Sequence, residues 1–185
     1  MTATTRFLAM SVALIAAACS TGSPSGEDLP TPSAPHSLRL TATSFDDGGA
    51  IPARFTCDGA SISPGLTWTE TKPAAEFVLL MIDPDAPEGT FVHWVMYAIP
   101  GNAESIGEGQ GPAGAKQGVN DFGRVGYGAP CPPPGDAAHH YRLTLYGLSM
   151  ARTARIPPGA TARDVLAAIE CCVQEQSTIV GTYGR

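Results

Sequence analysis

The sequence predicts a mainly-β fold closed by one helix near its C-terminal end. Three observations predict it. Residues 38–43, Leu-Arg-Leu-Thr-Ala-Thr, alternate apolar with polar as a half-buried strand does. Residues 77–82, Phe-Val-Leu-Leu-Met-Ile, are apolar without a break, the pattern of a central strand covered on both faces. Helical spacing with a cap signal occurs only once, after residue 160.

In chain order, the alternating run at 38–43 gives the first strand. Ile51–Phe55 and Leu66–Trp68 are short strand candidates, set off by the turn formers Cys57-Asp58-Gly59 and Ser63-Pro64-Gly65. The run at 77–82 follows, then Thr90–Ile99, rich in aromatic and β-branched residues. His139–Leu148 is a third long strand. Pro157-Pro158-Gly159 stops the chain, and Thr161-Ala162-Arg163-Asp164 has capping-box form. Val165, Ala168, Ile169 and Cys172 then recur at helical spacing. Thr178–Tyr183 reads as a last strand.

The first eighteen of the 185 residues read as a signal segment: Arg6, then an apolar stretch from Phe7 to Ala18 too short to span a bilayer. Ala16-Ala17-Ala18 before Cys19 resembles the lipobox of bacterial lipoproteins, although leucine is more usual at position 16. Lipidation of Cys19 would anchor an exported protein to the cell membrane, and plain secretion is the alternative. Residues 19–37, rich in Ser, Thr, Pro and Gly, are expected to be a flexible tether. Residues 38–185 then form one domain. Without residues 1–18 the chain has 10 basic against 17 acidic side chains, a net charge of −7, and no basic run. That balance disfavours nucleic acid as a partner. Cys57, Cys131, Cys171 and Cys172 allow three pairings into two bridges. Because adjacent cysteines seldom pair, Cys57 or Cys131 bridged to Cys171 or Cys172 is the first expectation, with free buried thiols as the alternative.

Chemistry concentrates in two stretches. The first, Asp83-Pro84-Asp85-Ala86-Pro87, reaches His93-Trp94. The second, Gly126-Tyr127-Gly128-Ala129-Pro130-Cys131-Pro132-Pro133, reaches His139-His140-Tyr141. A hairpin of the strands at 77–82 and 90–99 puts Asp83, Asp85 and His93 near its connected end, and a parallel arrangement brings the start of the His139 strand to the same rim. Prolines fix φ and stiffen both loops. The N–H groups of Gly126, Tyr127, Gly128, Ala129 and Cys131 are expected to form an anion nest. Strand alternation turns His139 to the pocket and His140 away from it. Imidazoles beside a nest suit a phosphate or carboxylate.

These motifs, in this order and spacing, resemble the phosphatidylethanolamine-binding protein family, which includes the Raf kinase inhibitor proteins and their bacterial relatives. The resemblance covers residues 38–185, including the Gly181-Thr182-Tyr183-Gly184-Arg185 finish. It implies a β-sandwich with a C-terminal helix and a small non-catalytic anion pocket at one end, needing neither cofactor nor metal. The implied lining is Asp83, Asp85, Pro87, His93, the backbone around Cys131, Pro133, His139 and Tyr141, with Ala86–Pro87 cis. Cys131 stands where eukaryotic members carry glycine, and Cys171-Cys172 departs from the family pattern.

Other readings carry less support. The aspartates and histidines suit a zinc or iron ion by donor type, without a further ligand-spaced cluster. They could equally form a buried polar network that only fixes loops. Some family members inhibit a protease or kinase, which would make the pocket rim a protein-binding surface. A hydrolase would need a nucleophile, and Ala103-Glu104-Ser105-Ile106-Gly107 lacks the first glycine of a nucleophile elbow.

Overall fold

A computed structural model describes Met1 and residues 29–185. The expected signal segment and Cys19 therefore lie outside the described residues, apart from Met1. Eight strands and one helix follow: β1 (Arg39–Ala42), β2 (Leu66–Thr69), β3 (Glu76–Asp83), β4 (Phe91–Pro100), β5 (Ser105–Ile106), β6 (Lys116–Gln117), β7 (His139–Leu148), α1 (Ala162–Ile169) and β8 (Val173–Tyr183). One sheet has the order β1-β2-β5 and the other β6-β4-β3-β7-β8. All their strand pairings are antiparallel.

The large sheet is covered on both faces, which explains the unbroken apolar run of β3. Phe77, Leu79 and Met81 point into the core shared with the small sheet, beside Leu40, Leu66 and Trp68. Val78 and Leu80 point the other way, under Val165, Leu166 and Ile169 of α1. Period-two alternation therefore buries every second residue on a different side.

The capping box forms as the sequence predicts. Thr161 accepts from the Asp164 backbone N–H at 3.2 Å, and the Asp164 carboxylate accepts from the Thr161 backbone N–H at 3.2 Å. Thr161→Ala is expected to cost about 1 kcal/mol, read from the urea midpoint at constant slope. The helix ends at Ile169, so Cys171 and Cys172 lie in the turn after it.

Two expectations fail here. Ile51–Phe55 is not a strand. Ile51 donates to Thr182 O along the edge of β8, but Pro52 has no N–H and fixes φ at −59°, and Ala53–Phe55 turns into a 3-10 helix. The cysteines also pair differently: Cys57 with Cys131, and Cys171 with Cys172. Topology is the reason. Cys57 N–H donates to Pro130 O at 3.0 Å, next to Cys131, whereas Cys172 is bonded to Ser149, just beyond the last residue of β7. The Cys131 pair thus stands near the start of β7 and the other pair near its finish.

Part of the expected tether is docked. Gln176 N–H donates to Pro35 O at 3.1 Å, Ser37 Oγ bonds Glu175 Oε2 at 3.1 Å, and Leu29 packs against the core under α1. His36 lies 3.1 Å from the Gln176 side-chain amide.

Candidate functional site

The β3–β4 turn and the start of β7 meet at one end of the large sheet. β4 and β7 flank β3, both antiparallel to it, so they run parallel to each other and begin at the same rim. Ile82 pairs with Arg142, which brings Asp83 alongside Tyr141. Asp83, His139 and Tyr141 share the alternation of Met81 and Leu143, so all three face between the sheets.

His93 joins them by a local irregularity. Met81 pairs with Trp94 and Ile82 with Val92, so β4 has one residue more than β3 at this point, and that residue is His93. A β-bulge of this kind turns two successive side chains toward one face. Trp94 enters the inter-sheet core, and His93 stands edge-on to Tyr141 with ring centroids 5.1 Å apart.

Each imidazole is held by its Nδ1. His139 Nδ1–H donates to Asp83 Oδ2 at 2.7 Å, and His93 Nδ1–H donates to Gly128 O at 2.8 Å. Asp83 Oδ1 also accepts from the Asp85 N–H at 2.9 Å. Nε2 on each ring is therefore the edge left to meet a ligand. Both rings are nearly enclosed, with His93 3% and His139 5% exposed. The Tyr141 ring lies between them, stacked on His139 at 6.4 Å. Its hydroxyl is buried and has no hydrogen-bond partner.

Burial dominates the electrostatics. It lowers the His93 pKa from 6.5, against smaller opposing effects of the Gly128 carbonyl and the Asp83 charge. Burial, followed by the charges of Asp83 and Asp85, pushes the Tyr141 phenol well above its ordinary range, so the hydroxyl keeps its proton and is a donor.

The other expected lining residues lie around this cluster. Asp85 is exposed and accepts from His140, both backbone N–H and Nδ1, at 2.8 Å. Those hydrogen bonds hold its carboxyl below the usual range. His140 itself is exposed, as alternation predicts. Pro87 and Pro133 are exposed in the bordering loops, and the Ala86–Pro87 bond is trans rather than cis. Cys131 is exposed, and its sulfur belongs to the disulfide, so it is no thiolate beside His139. The anion nest does not form as expected: Gly126 N–H donates to Gly118 O and Gly128 N–H to His93 O. The loop spends the Gly128 donor on the His93 backbone and the Gly126 donor on Gly118.

Sequence reasoning missed Asn120, buried under the same loop. Its Nδ2 donates to Gly126 O at 2.9 Å, and its Oδ1 accepts from Phe122 and Arg124 N–H. The turn-forming run Asn120-Asp121-Phe122-Gly123 was the available signal. Phe91 and Phe122 pack on His93 with centroids at 5.1 and 5.4 Å.

Chemically the cluster offers two imidazole edges and a phenol donor. The rings bond a carbonyl and a carboxylate, not a serine or threonine hydroxyl, so the base-to-nucleophile contact of acyl transfer is missing. Among the described residues, no group of three His, Cys, Asp or Glu is placed to hold a metal ion.

Comparison with known proteins agrees with this geometry. The family model described as phosphatidylethanolamine-binding protein matches residues 41–184. A Mycobacterium tuberculosis protein named as lipoprotein LppC is 43% identical over 154 residues, covering 83% of this chain and 75% of that one. A UPF0098 protein of Aquifex aeolicus is 42% identical over 153 residues, covering 80% and 89%. Among solved structures, the phosphatidylethanolamine-binding protein homologue CT736 of Chlamydia trachomatis superposes with a TM-score of 0.74 at 32% identity, covering 81% of this chain and 99% of that one. YBCL of Escherichia coli, described as a new member of the mammalian family, gives 0.70 at 28%, covering 80% and 99%. Two-sheet architecture, motif order and these matches together establish that the chain belongs to the phosphatidylethanolamine-binding protein family.

Proposed function

We propose that the Asp83–His139–Tyr141–His93 cluster binds a small phosphate- or carboxylate-bearing ligand without turning it over. The observation that carries this reading is the Tyr141 hydroxyl, buried between two imidazoles and lacking an acceptor. A buried donor left unpaired costs about 1–3 kcal/mol, and an anionic oxygen would recover that. The same oxygen would accept from Nε2 of a protonated His93. Phosphate and carboxylate both supply several acceptors on one small group.

The protein is further proposed to be exported and held at the cell membrane through a lipid on Cys19. A relative named as a lipoprotein supports this. The ten peptide steps from Cys19 to Leu29 would reach at most about 35 Å, so the domain would stay close to the bilayer.

Isothermal titration with inorganic phosphate and with phosphoethanolamine tests the site. Tyr141→Phe is expected to weaken binding about tenfold, one charge-assisted hydrogen bond. Equal affinity in wild type and Tyr141→Phe would remove the assignment.

Acidity gives a second expected result. Because burial depresses the His93 pKa, the unfolded chain binds this proton first, so stability is lost as pH falls below about 6.5. An anion reverses that preference, so binding takes up a proton, and affinity rises as the medium is acidified from pH 8 toward 6. Titration in two buffers of different ionisation heat measures the uptake, which His93→Gln should reduce.

A further inference from the structure

A cavity of about 240 Å³ lies beside Trp94, the residue after His93 on β4, and beside Tyr127, two residues before Ala129 in the following loop. The half-buried Tyr127 ring contributes the aromatic wall, and Trp94, 1% exposed, stands edge to face behind it with centroids 5.5 Å apart. Two loops close over them: Gly109 N–H donates to Ser63 O at 3.0 Å, which ties the segment around Ser61 to that around Gly111.

None of the nine lining residues is charged. The nearby Arg54 and Glu108 are paired with each other. An anion would find no cation here and a cation no carboxylate. Yet the lining is not simply greasy. Gln117 Oε1 accepts from Trp94 Nε1 at 2.7 Å, so the amide turns its NH₂ away from the indole, toward Gly111. Ser61 spends its hydroxyl proton on Thr56 O at 3.2 Å, leaving lone pairs to accept. Gln110, exposed at the mouth, offers both a donor and an acceptor. Ser61 also holds a left-handed backbone, φ 54°, unusual for serine; such conformations gather at ligand-binding segments.

From this lining we infer that the cavity is a second binding site, for one uncharged, hydroxyl-bearing ring of monosaccharide size. The volume equals roughly eight waters at their liquid share of about 30 Å³ each. It falls below the range of roughly 300–1,000 Å³ that drug-sized ligands fill. A hydroxyl both donates and accepts, which matches alternating amide donors and serine acceptors. The C–H face of a pyranose would lie against the half-buried Tyr127 ring, with Trp94 responding through its bond to Gln117. No residue of the cluster that faces the anion lines this cavity, so either site can fail without the other.

The two tryptophans supply a built-in readout. Trp94 lines the cavity, whereas Trp68 lies on β2 in the core and serves as internal reference. The experiment titrates ¹⁵N-labelled protein with glucose, galactose, mannose and N-acetylglucosamine, following the two indole N–H resonances. At least one sugar is expected to shift the Trp94 signal saturably, with a midpoint in the millimolar range, while Trp68 stays still. Gly111→Leu, which puts a side chain beside Gln117 Nε2, should abolish the shift. Gln110→Ala, a change at an exposed residue that should leave the fold intact, should weaken binding about fivefold. Glucuronate should bind more weakly than glucose, since nothing in the lining balances its charge. The inference is overturned if no sugar gives a saturable Trp94 shift up to about 50 mM, a ceiling far weaker than ordinary recognition. It is equally overturned if Trp68 responds as strongly as Trp94, or if glucuronate binds as well as glucose. Should Gly111→Leu not fold, an unchanged midpoint in Gln110→Ala overturns it.

Discussion

Replacing Asp83 by alanine is expected to lower the unfolding free energy by about 3–5 kcal/mol and to abolish anion binding together. The Asp83–His139 pair is buried, with side chains 4% and 7% exposed. Removing the carboxylate strands the His139 Nδ1–H inside the protein and also takes the acceptor from the Asp85 N–H. His139 would then be free to rotate, and its Nε2 would no longer be aimed. Urea unfolding measures the first effect and phosphate titration the second. A loss below about 1 kcal/mol would mean that water replaces the carboxylate without penalty. The neighbouring pair supplies the contrast. Asp85 and His140 bond with similar geometry but are 43% and 58% exposed, so Asp85→Ala should cost at most about 1 kcal/mol.

The two disulfides should differ as sharply. Cys57 and Cys131 are 74 residues apart, so their bridge removes substantial freedom from the unfolded chain. The double change Cys57→Ser, Cys131→Ser is expected to destabilise by about 2–4 kcal/mol. Cys171 and Cys172 are neighbours, and a bridge between them closes almost no chain. Replacing that pair with serines should leave the thermal midpoint within about 2 °C of wild type. Calorimetry of both double variants beside the parent protein makes the comparison, and equal losses would contradict the loop-closure argument.

Much of the fold was written in local patterns. β3 reads as central because its apolar run has no polar face, and both faces prove to be covered. α1 reads from its cap, because the Thr161–Asp164 exchange lies within four residues. Shorter elements left no such trace. β5 and β6 have two residues each, too few for any period to register. Ile51–Phe55 looks extended by composition, but Pro52 overrides composition through its missing N–H.

The site divides along the same line. His139 was legible because strand alternation assigns its face, and Asp83 and Tyr141 were legible as motif residues of the family resemblance. His93 was legible as a motif residue, but its place beside Tyr141 depends on a mismatch between two strands that neither contains alone. Cysteine pairing failed for a related reason. Only the assembled topology sets Cys57 beside Pro130 and leaves the other pair near the far end of β7. The expected nest asked which N–H groups the prolines spare, whereas the folded loop gives one of them to His93 and one to Gly118.

The extra residue in β4 makes the geometry of the proposed anion site a matter of counting. If one residue were deleted between Val92 and Trp94, the strand could pair evenly with β3 and keep its hydrophobic partners. The imidazole would be gone while the sandwich still closed. A lineage could therefore discard the proposed anion site in a single in-frame codon loss while the sandwich keeps its fold.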